Sequence, residues 1–435
     1  MSNTSYTPKP LFDTLPEVIA QYSLVYAQDN PLHSIRQWLN HCLEDTKVTI
    51  PQYASKDYQM VLNFLYSYRG SADTFVAYRR ELERFLHWSW FIREQSVLKH
   101  KRDDIEAFIE FCIKPYKRWI GLKKVARFKV QNGTRISNPE WRPFEAHVSK
   151  IKRRDGIAPE KQNYEFSQQA LKVLFGILSS FYKFLAQEEI TQINPVALIR
   201  QKSKFIRKEA TEPHIRRLTD KQWQTVIKLA KEKAKKDIKH ERTVFILSCL
   251  YGMYLRISEL VSHERWTPRM KDFHKDSDGN WWFKTVGKGN KARKIAVSLS
   301  MLEALKHYRT SYLQLSPYPL PNENTPLISH IINHKKSISS ERPISRLVQS
   351  CFDEASDKLE KEGDKHEANL LRAATVHWLR HTGISDDVKH RPREHVRDDA
   401  GHSSGAITDR YIDVELAARA RSARNKCIEK RDSGR

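Results

Sequence analysis

One short β-rich run interrupts a chain whose apolar residues otherwise recur at helical spacing. Residues 281–286 read W-W-F-K-T-V. Asp278-Gly279 precedes them as a tight-turn signal. Gly287-Lys288-Gly289-Asn290-Lys291 follows as a second turn, and a second strand is expected over 293–297. A small antiparallel sheet among helices predicts a mainly α fold (α+β).

The helices can be placed from their stripes and start signals. Pro31 suits a first turn, followed by Leu32, Ile35, Trp38, Leu39 and Cys42. Ser71 and Asp73 are candidate caps for a helix carrying Phe75, Tyr78, Leu82, Phe85 and Leu86. Asp103 is a candidate cap for Ile105, Phe108, Ile109 and Cys112, and Ser167 for Leu171, Leu174, Ile177, Leu178, Phe181 and Leu185. Thr219-Asp220-Lys221-Gln222 reads as a capping box. Another helix runs from about Glu241, and helices resume near Ser300.

These signals divide the chain. Residues 1–55 form an N-terminal extension whose role the sequence leaves open. Residues 56–200 read as a helical domain, and 201–217 as a polar, basic linker without apolar periodicity. Residues 218–435 form the second domain, ending in a tail helix. No internal repeat is visible. An insert at 114–156 is rich in lysine and arginine, with Tyr116, Trp119, Phe128 and Trp141 interleaved. Such a pattern suits contact with a nucleic-acid backbone, or a solvated loop anchored by its aromatics. The candidate contacts are Lys117, Arg118, Lys123, Lys124, Arg127, Lys152, Arg153 and Arg154, with Lys202 and Lys204 in the linker.

Composition supports a polyanionic partner. Across 435 residues, 76 lysines and arginines face 52 acidic residues, a formal charge of +24. The five cysteines are scattered without a C-x-x-C pair, which argues against a disulfide framework or zinc knuckle and fits a reducing compartment. No signal peptide or membrane-length apolar run is read, so a soluble cytoplasmic protein is expected.

Chemistry concentrates in residues 375–414, which hold His377, Arg380, His402 and Tyr411. Imidazoles, a guanidinium and a phenol are the groups needed to attack a phosphodiester without a metal. Taken singly, each has a plainer reading. Arg256, in L-R-I-S-E-L, would be a cation paired with Glu259; Lys288 a turn lysine; Tyr411 a packing tyrosine. His377 and Arg380 are one helical turn apart and share a face. Ser403 or Ser404 is a candidate helix cap beside His402. A zinc hydrolase is a poor alternative: His377 and His381 have helical ligand spacing, but Trp378 stands where the general-base glutamate belongs. A P-loop is excluded because Gly287-Lys288-Gly289 lacks the required spacing.

Four separated segments, L-R-I-S-E-L, V-G-K-G-N-K-A-R-K-I-A-V, H-W-L-R-H-T-G and G-H-S-S-G-A-I-T-D-R-Y, together resemble the tyrosine recombinase, or phage integrase, family. The resemblance covers 219 to about 420, and the helical segment before the linker is similar to the family's core-binding domain. It implies catalysis by Arg256, Lys288, His377, Arg380, His402 and the nucleophile Tyr411, with no metal and no cofactor. It further implies double-stranded DNA as substrate, a tetramer on two sites, and integration or excision of a mobile element through a phosphotyrosine intermediate and a Holliday junction. A bacterial, nucleoid-associated location follows from the same likeness. A catalytically silent, architectural DNA-binding subunit is the alternative, and a relaxing topoisomerase or hairpin-forming resolvase is a further outcome of the same chemistry. Two features depart from compact members: a longer stretch between Arg256 and Lys288, expected to form a loop or strand at 266–275, and the charged run 385–400, where an apolar helix is usual.

Overall fold

The computed structural model describes residues 6–46, 48–197, 199, 205, 216–264, 266–287, 290–402, 405 and 423–424. The chain divides into two compact units, Met1–Ala210 and Thr211–Arg435.

The first unit is built on helices α1 (Leu15–Tyr26), α2 (Pro31–Leu43), α3 (Ala54–Ser67), α4 (Ala72–Phe91) and α5 (Arg102–Ile113). Short strands β1 (Ile120–Gly121), β2 (Phe128–Gln131), β3 (Thr134–Ser137) and β4 (Phe144–Glu145) follow, then α6 (Lys150–Arg154) and α7 (Gln168–Gln187). From Glu81 onward every residue of α4 is buried, so this helix runs through the middle of the unit. Ser167 caps α7 as expected, its hydroxyl accepting from the Ala170 N–H at 3.1 Å. Ser71 stands at the start of α4, but its hydroxyl bonds Thr74 Oγ1 at 2.8 Å instead of the backbone. The Asp103 expectation fails by one residue. Asp104 sits at the third helical position, where its carboxylate turns back to accept the Lys101 N–H at 2.8 Å, while Asp103 lies inside the first turn.

Residues 6–50 join the core of this unit. Leu11, Phe12, Ile35 and Leu39 are fully buried, and Phe12 stacks on Tyr58 at 4.4 Å between centroids. The buried Glu83 carboxylate accepts the Leu11 and Phe12 N–H groups at 2.6 and 3.1 Å, stapling this segment to α4.

The basic insert is more ordered than a solvated loop. Its centre is the hairpin β2–β3, closed by Asn132 (φ 51°) and Gly133 (φ 76°). Positive φ at both turn residues is the geometry that Asn-Gly adopts cheaply and that matches strand twist. That dipeptide was the overlooked signal. Arg127 is also placed differently from the expected DNA contact. Its guanidinium pairs with Glu83 and donates to the Phe12 carbonyl at 2.8 Å, so it is committed to the fold. Arg135 likewise pairs with Asp13.

The second unit opens with α8 (Asp220–Lys236), whose Thr219–Gln222 capping box forms reciprocally at 2.9 and 3.2 Å. Next come α9 (Glu241–Gly252), strands β5 (Phe273–Lys275), β6 (Trp281–Val286) and β7 (Ala292–Ala296), and α10 (Leu299–His307). Helices α11 (Glu341–Lys361), α12 (Lys365–Ala373), α13 (Val376–Asp387) and α14 (Arg393–Ala400) complete the described part. The three strands pair antiparallel in the order β5-β6-β7, and the stretch expected to hold a loop or strand supplies β5. Ser298 caps α10, accepting the Met301 N–H at 3.2 Å.

Helices α9 and α13 cross with their backbones in contact. A Cβ on Gly383 of α13 would collide with the Tyr251 carbonyl of α9 and meet Tyr254 Cδ1 at 3.1 Å. Only glycine permits this approach. The charged run 385–400 forms the end of α13, a turn and α14. Much of what holds it is polar: Tyr251 donates to Asp386 at 2.9 Å, and Arg391 spans Asp387 and Asp399 at 3.0 and 2.6 Å.

Candidate active site

The site is assembled from three places: the segment leaving α9, strand β7, and α13 with the turn after α14. Arg256 begins the short 3-10 turn Ile257–Leu260. Glu259, only 1% exposed, accepts the Arg256 N–H at 2.8 Å and its guanidinium at 3.1 Å. The same carboxylate takes a two-pronged bond from Arg293 of β7, at 2.7 and 2.9 Å. Burial pushes the Glu259 carboxyl up, but the bond to Arg293 and the two positive charges more than reverse this, leaving it below its usual value. Gly287 lies against this cluster, since a Cβ there would meet Glu259 Oε1 at 2.8 Å and Arg256 Nη1 at 3.3 Å.

Arg380 is 2% exposed and lies on α13. One arm of its guanidinium donates to the Tyr254 carbonyl, the other to the Ala400 carbonyl at 2.6 Å. Tyr254 reaches this position with φ at 50°, a left-handed backbone that a tyrosine rarely adopts. Both of these bonds are made to neutral backbone carbonyls.

Three histidines surround this charge. Burial, then the charges of Arg380, Arg256 and Arg293, push His402 down to about 4. Burial, then His377, Arg380 and His402, hold His381 at about 4 as well. His377 is lowered by the protein packed around its ring, then by Arg380 and Arg256, although its outer edge is exposed. The His377 and His381 rings meet edge-on at 4.3 Å between centroids. His402 follows Gly401, whose φ of 65° ends α14 and whose open Cα face lies against Arg293. Burial and the neighbouring guanidinium charges thus hold all three imidazoles below their ordinary value.

Of the sequence-derived residues, Arg256, His377, Arg380 and His402 come together here. Lys288 and Tyr411 lie outside the described residues, as do Lys202, Lys204, Ser403 and Ser404. Lys117, Lys123, Lys124, Lys152, Arg153 and Arg154 are exposed on the first unit, and Arg118 is half-buried. Sequence reasoning missed Arg293, Asp399 and His381, whose significance is tertiary; only His381, adjoining Arg380, carried a local hint. Among the described residues no group of three or more His, Cys, Asp or Glu could hold a metal ion, and no helix is long and apolar enough to cross a membrane.

Two guanidinium groups and three imidazoles thus converge from separate parts of the second unit. Residues 216–417 match the model of the phage integrase family. Similar solved structures include the XerH site-specific recombinase bound to palindromic difH substrate, 15% identical, covering 95% of this chain and 98% of that one with a TM-score of 0.48. A lambda integrase dimer bound to a COC′ core site is 12% identical, covering 93% and 89%, TM-score 0.46. The Tn1549 transposon integrase with circular intermediate DNA is 15% identical, covering 85% and 99%, TM-score 0.47. No curated protein sequence matches the chain significantly.

Proposed function

We propose that this chain is a site-specific DNA recombinase that cuts and rejoins strands through a 3′-phosphotyrosine intermediate. The observation that carries the reading is the Arg256–Arg380 pair, held in place beside imidazoles whose pKa values are lowered. The guanidinium groups grip the non-bridging oxygens of the scissile phosphate. Tyr411 Oη attacks phosphorus and gives up its proton, while the bond to the 5′ oxygen breaks and that oxygen leaves with a proton from Lys288. His377 and His402 hydrogen-bond the phosphate and manage the tyrosine proton.

The phosphotyrosine bond retains the energy of the phosphodiester, so the 5′ hydroxyl of a partner strand reverses the step without a nucleotide cofactor. Cations supplied by side chains make a metal unnecessary. The exposed lysines and arginines of the first unit contact the DNA backbone, so binding weakens steeply with salt. Two rounds of exchange by a tetramer, through a Holliday junction, would integrate or excise a mobile element in a bacterial cytoplasm.

The test is a nicked suicide substrate offered to wild type and Tyr411→Phe in the presence of chelator. A covalent protein–DNA adduct with wild type alone is expected. Specific binding without any adduct would overturn the enzyme and favour an architectural subunit.

A further inference from the structure

We propose that Arg391 is a positioning residue for Arg380, bracing both backbone carbonyls that hold its guanidinium. The inference rests on the recombinase reading and deepens it.

Arg391 lies in the turn between α13 and α14, in the charged run that departs from compact family members. Its Nη1 donates to the Tyr254 hydroxyl at 3.0 Å and to Asp387 Oδ2 at 3.0 Å. The Tyr254 hydroxyl itself donates to Asp387. Arg391 Nη2 donates to Asp399 Oδ2 at 2.6 Å. Each of these contacts is one step from Arg380. Tyr254 supplies the first carbonyl to the Arg380 guanidinium, and Ala400, next to Asp399, supplies the second.

The two carbonyls need external support. The Tyr254 carbonyl that meets Arg380 belongs to a backbone held at positive φ, a conformation that persists only where surroundings enforce it. The side chain of that residue is fixed at its far end by Asp387 and Arg391. The Ala400 carbonyl ends a helix of eight residues, whose last turn is pinned by Asp399. Asp399 accepts from Arg391 on one oxygen and from the Ala296 N–H of β7 on the other, at 3.1 Å. Its own carbonyl accepts from Arg293 Nε at 2.9 Å.

The result is a matched pair of supports. Arg293 stands behind Arg256 through Glu259, and Arg391 stands behind Arg380 through Tyr254 and Asp399. Asp399 touches both supporting arginines, so the two clamps share one anchor. Arg391 never needs to meet the phosphate to affect how it is held.

The experiment compares cleavage of two nicked suicide substrates, one with an ordinary scissile phosphodiester and one with a neutral methylphosphonate there. Wild type, Arg391→Gln and Arg380→Ala are assayed as full chains at saturating DNA, with binding and thermal unfolding measured in parallel. A misaligned Arg380 guanidinium matters only when there is a charge to neutralise. Arg391→Gln is expected to slow phosphodiester cleavage about 10- to 100-fold, with site affinity within about twofold and little change on the methylphosphonate. Arg380→Ala should show the same selectivity, more strongly. Equal slowing on both substrates, or no slowing, overturns the inference. If Arg391→Gln does not fold, Tyr254→Phe removes only the hydroxyl that Arg391 grips, and the same selective loss, smaller in size, is required of it. Failure of wild type to form any adduct would instead sink the recombinase reading, so the two failures are distinguishable.

Discussion

Both units bury arginines next to carboxylates, yet they use them in opposite ways. In the first, Arg127 closes on Glu83 of α4 and on the Phe12 carbonyl, and Arg135 of the β2–β3 hairpin closes on Asp13, so each guanidinium is spent on fastening the N-terminal segment. In the second, the single carboxylate of Glu259 is shared between two guanidinium groups, Arg256 and Arg293, so positive charge remains to meet a ligand, and Arg380 is held by backbone carbonyls. The same residue type is a fastener in one unit and an instrument in the other. What separates them is whether the acceptors around the arginine cancel its charge.

Substituting the two buried glutamates gives the sharpest contrast. Glu259→Gln and Glu83→Gln each leave buried arginine uncompensated, and each should cost about 3–5 kcal/mol in thermal or urea unfolding. Only Glu259→Gln should also lower the rate of covalent adduct formation, by roughly 10²-fold or more, at temperatures where the protein remains folded. An equal kinetic loss from Glu83→Gln would erase the distinction.

Gly383→Ala comes next. The added methyl collides with α9 backbone, which has no rotamer to escape into, and a loss of about 1–3 kcal/mol in stability is expected together with slower cleavage, because Arg256 and Arg380 lie on either side of that contact. Unchanged cleavage would show that the helix crossing does not set the arginine pair.

One pair of buried groups, taken across the two units, should respond oppositely to pH. His402 and His381 are held at about 4, against an ordinary 6.5, so the unfolded chain binds their protons first. Their contribution to stability is complete above pH 6.5 and is lost as the pH falls towards 4. Asp57 in the first unit is the reverse. Burial raises it to about 6 despite bonds from Ser96, Trp90 and Val97, so its contribution is complete below 3.8 and is lost as the pH rises through 6. Calorimetry between pH 4 and 6.5 should show the stability difference between wild type and His402→Gln changing with pH in the opposite sense to that between wild type and Asp57→Asn. A common sign would break the comparison.

The smallest effect belongs to the hairpin. Gly133→Ala meets no atom within 4 Å but must hold φ at 76°, and should cost about 1 kcal/mol, read as a small shift in unfolding midpoint without change in cleavage.

How far the sequence could be read follows the range of each interaction. The Thr219 box and the Ser167 cap close within three or four residues, and both were legible. Ile35 and Leu39 could be placed on a helix, but not in a core, because their segment is fastened by Glu83 and Arg127 from far along the chain. Lys124 and Arg127 look alike in a basic run; only folding shows that one is exposed and the other paired. The four described site residues were legible because short phrases carry them. The groups behind them were not: Arg293 read as one more cation after a turn, and Asp399 as one of several acids in a run whose charge looked anomalous. In the fold that charge is an internal lattice joining α13, α14 and β7.

The bare backbone crossing at Gly383 has a consequence for how such a chain can diverge. Where two helices are spaced by side chains, each core substitution resets their separation by a fraction of an ångström. Here the gauge is main chain against main chain, which no substitution elsewhere in the core resizes. The interior of the second unit is therefore free to change composition while the interval between Arg256 and Arg380 stays the same, and that one glycine carries the restriction for all of it.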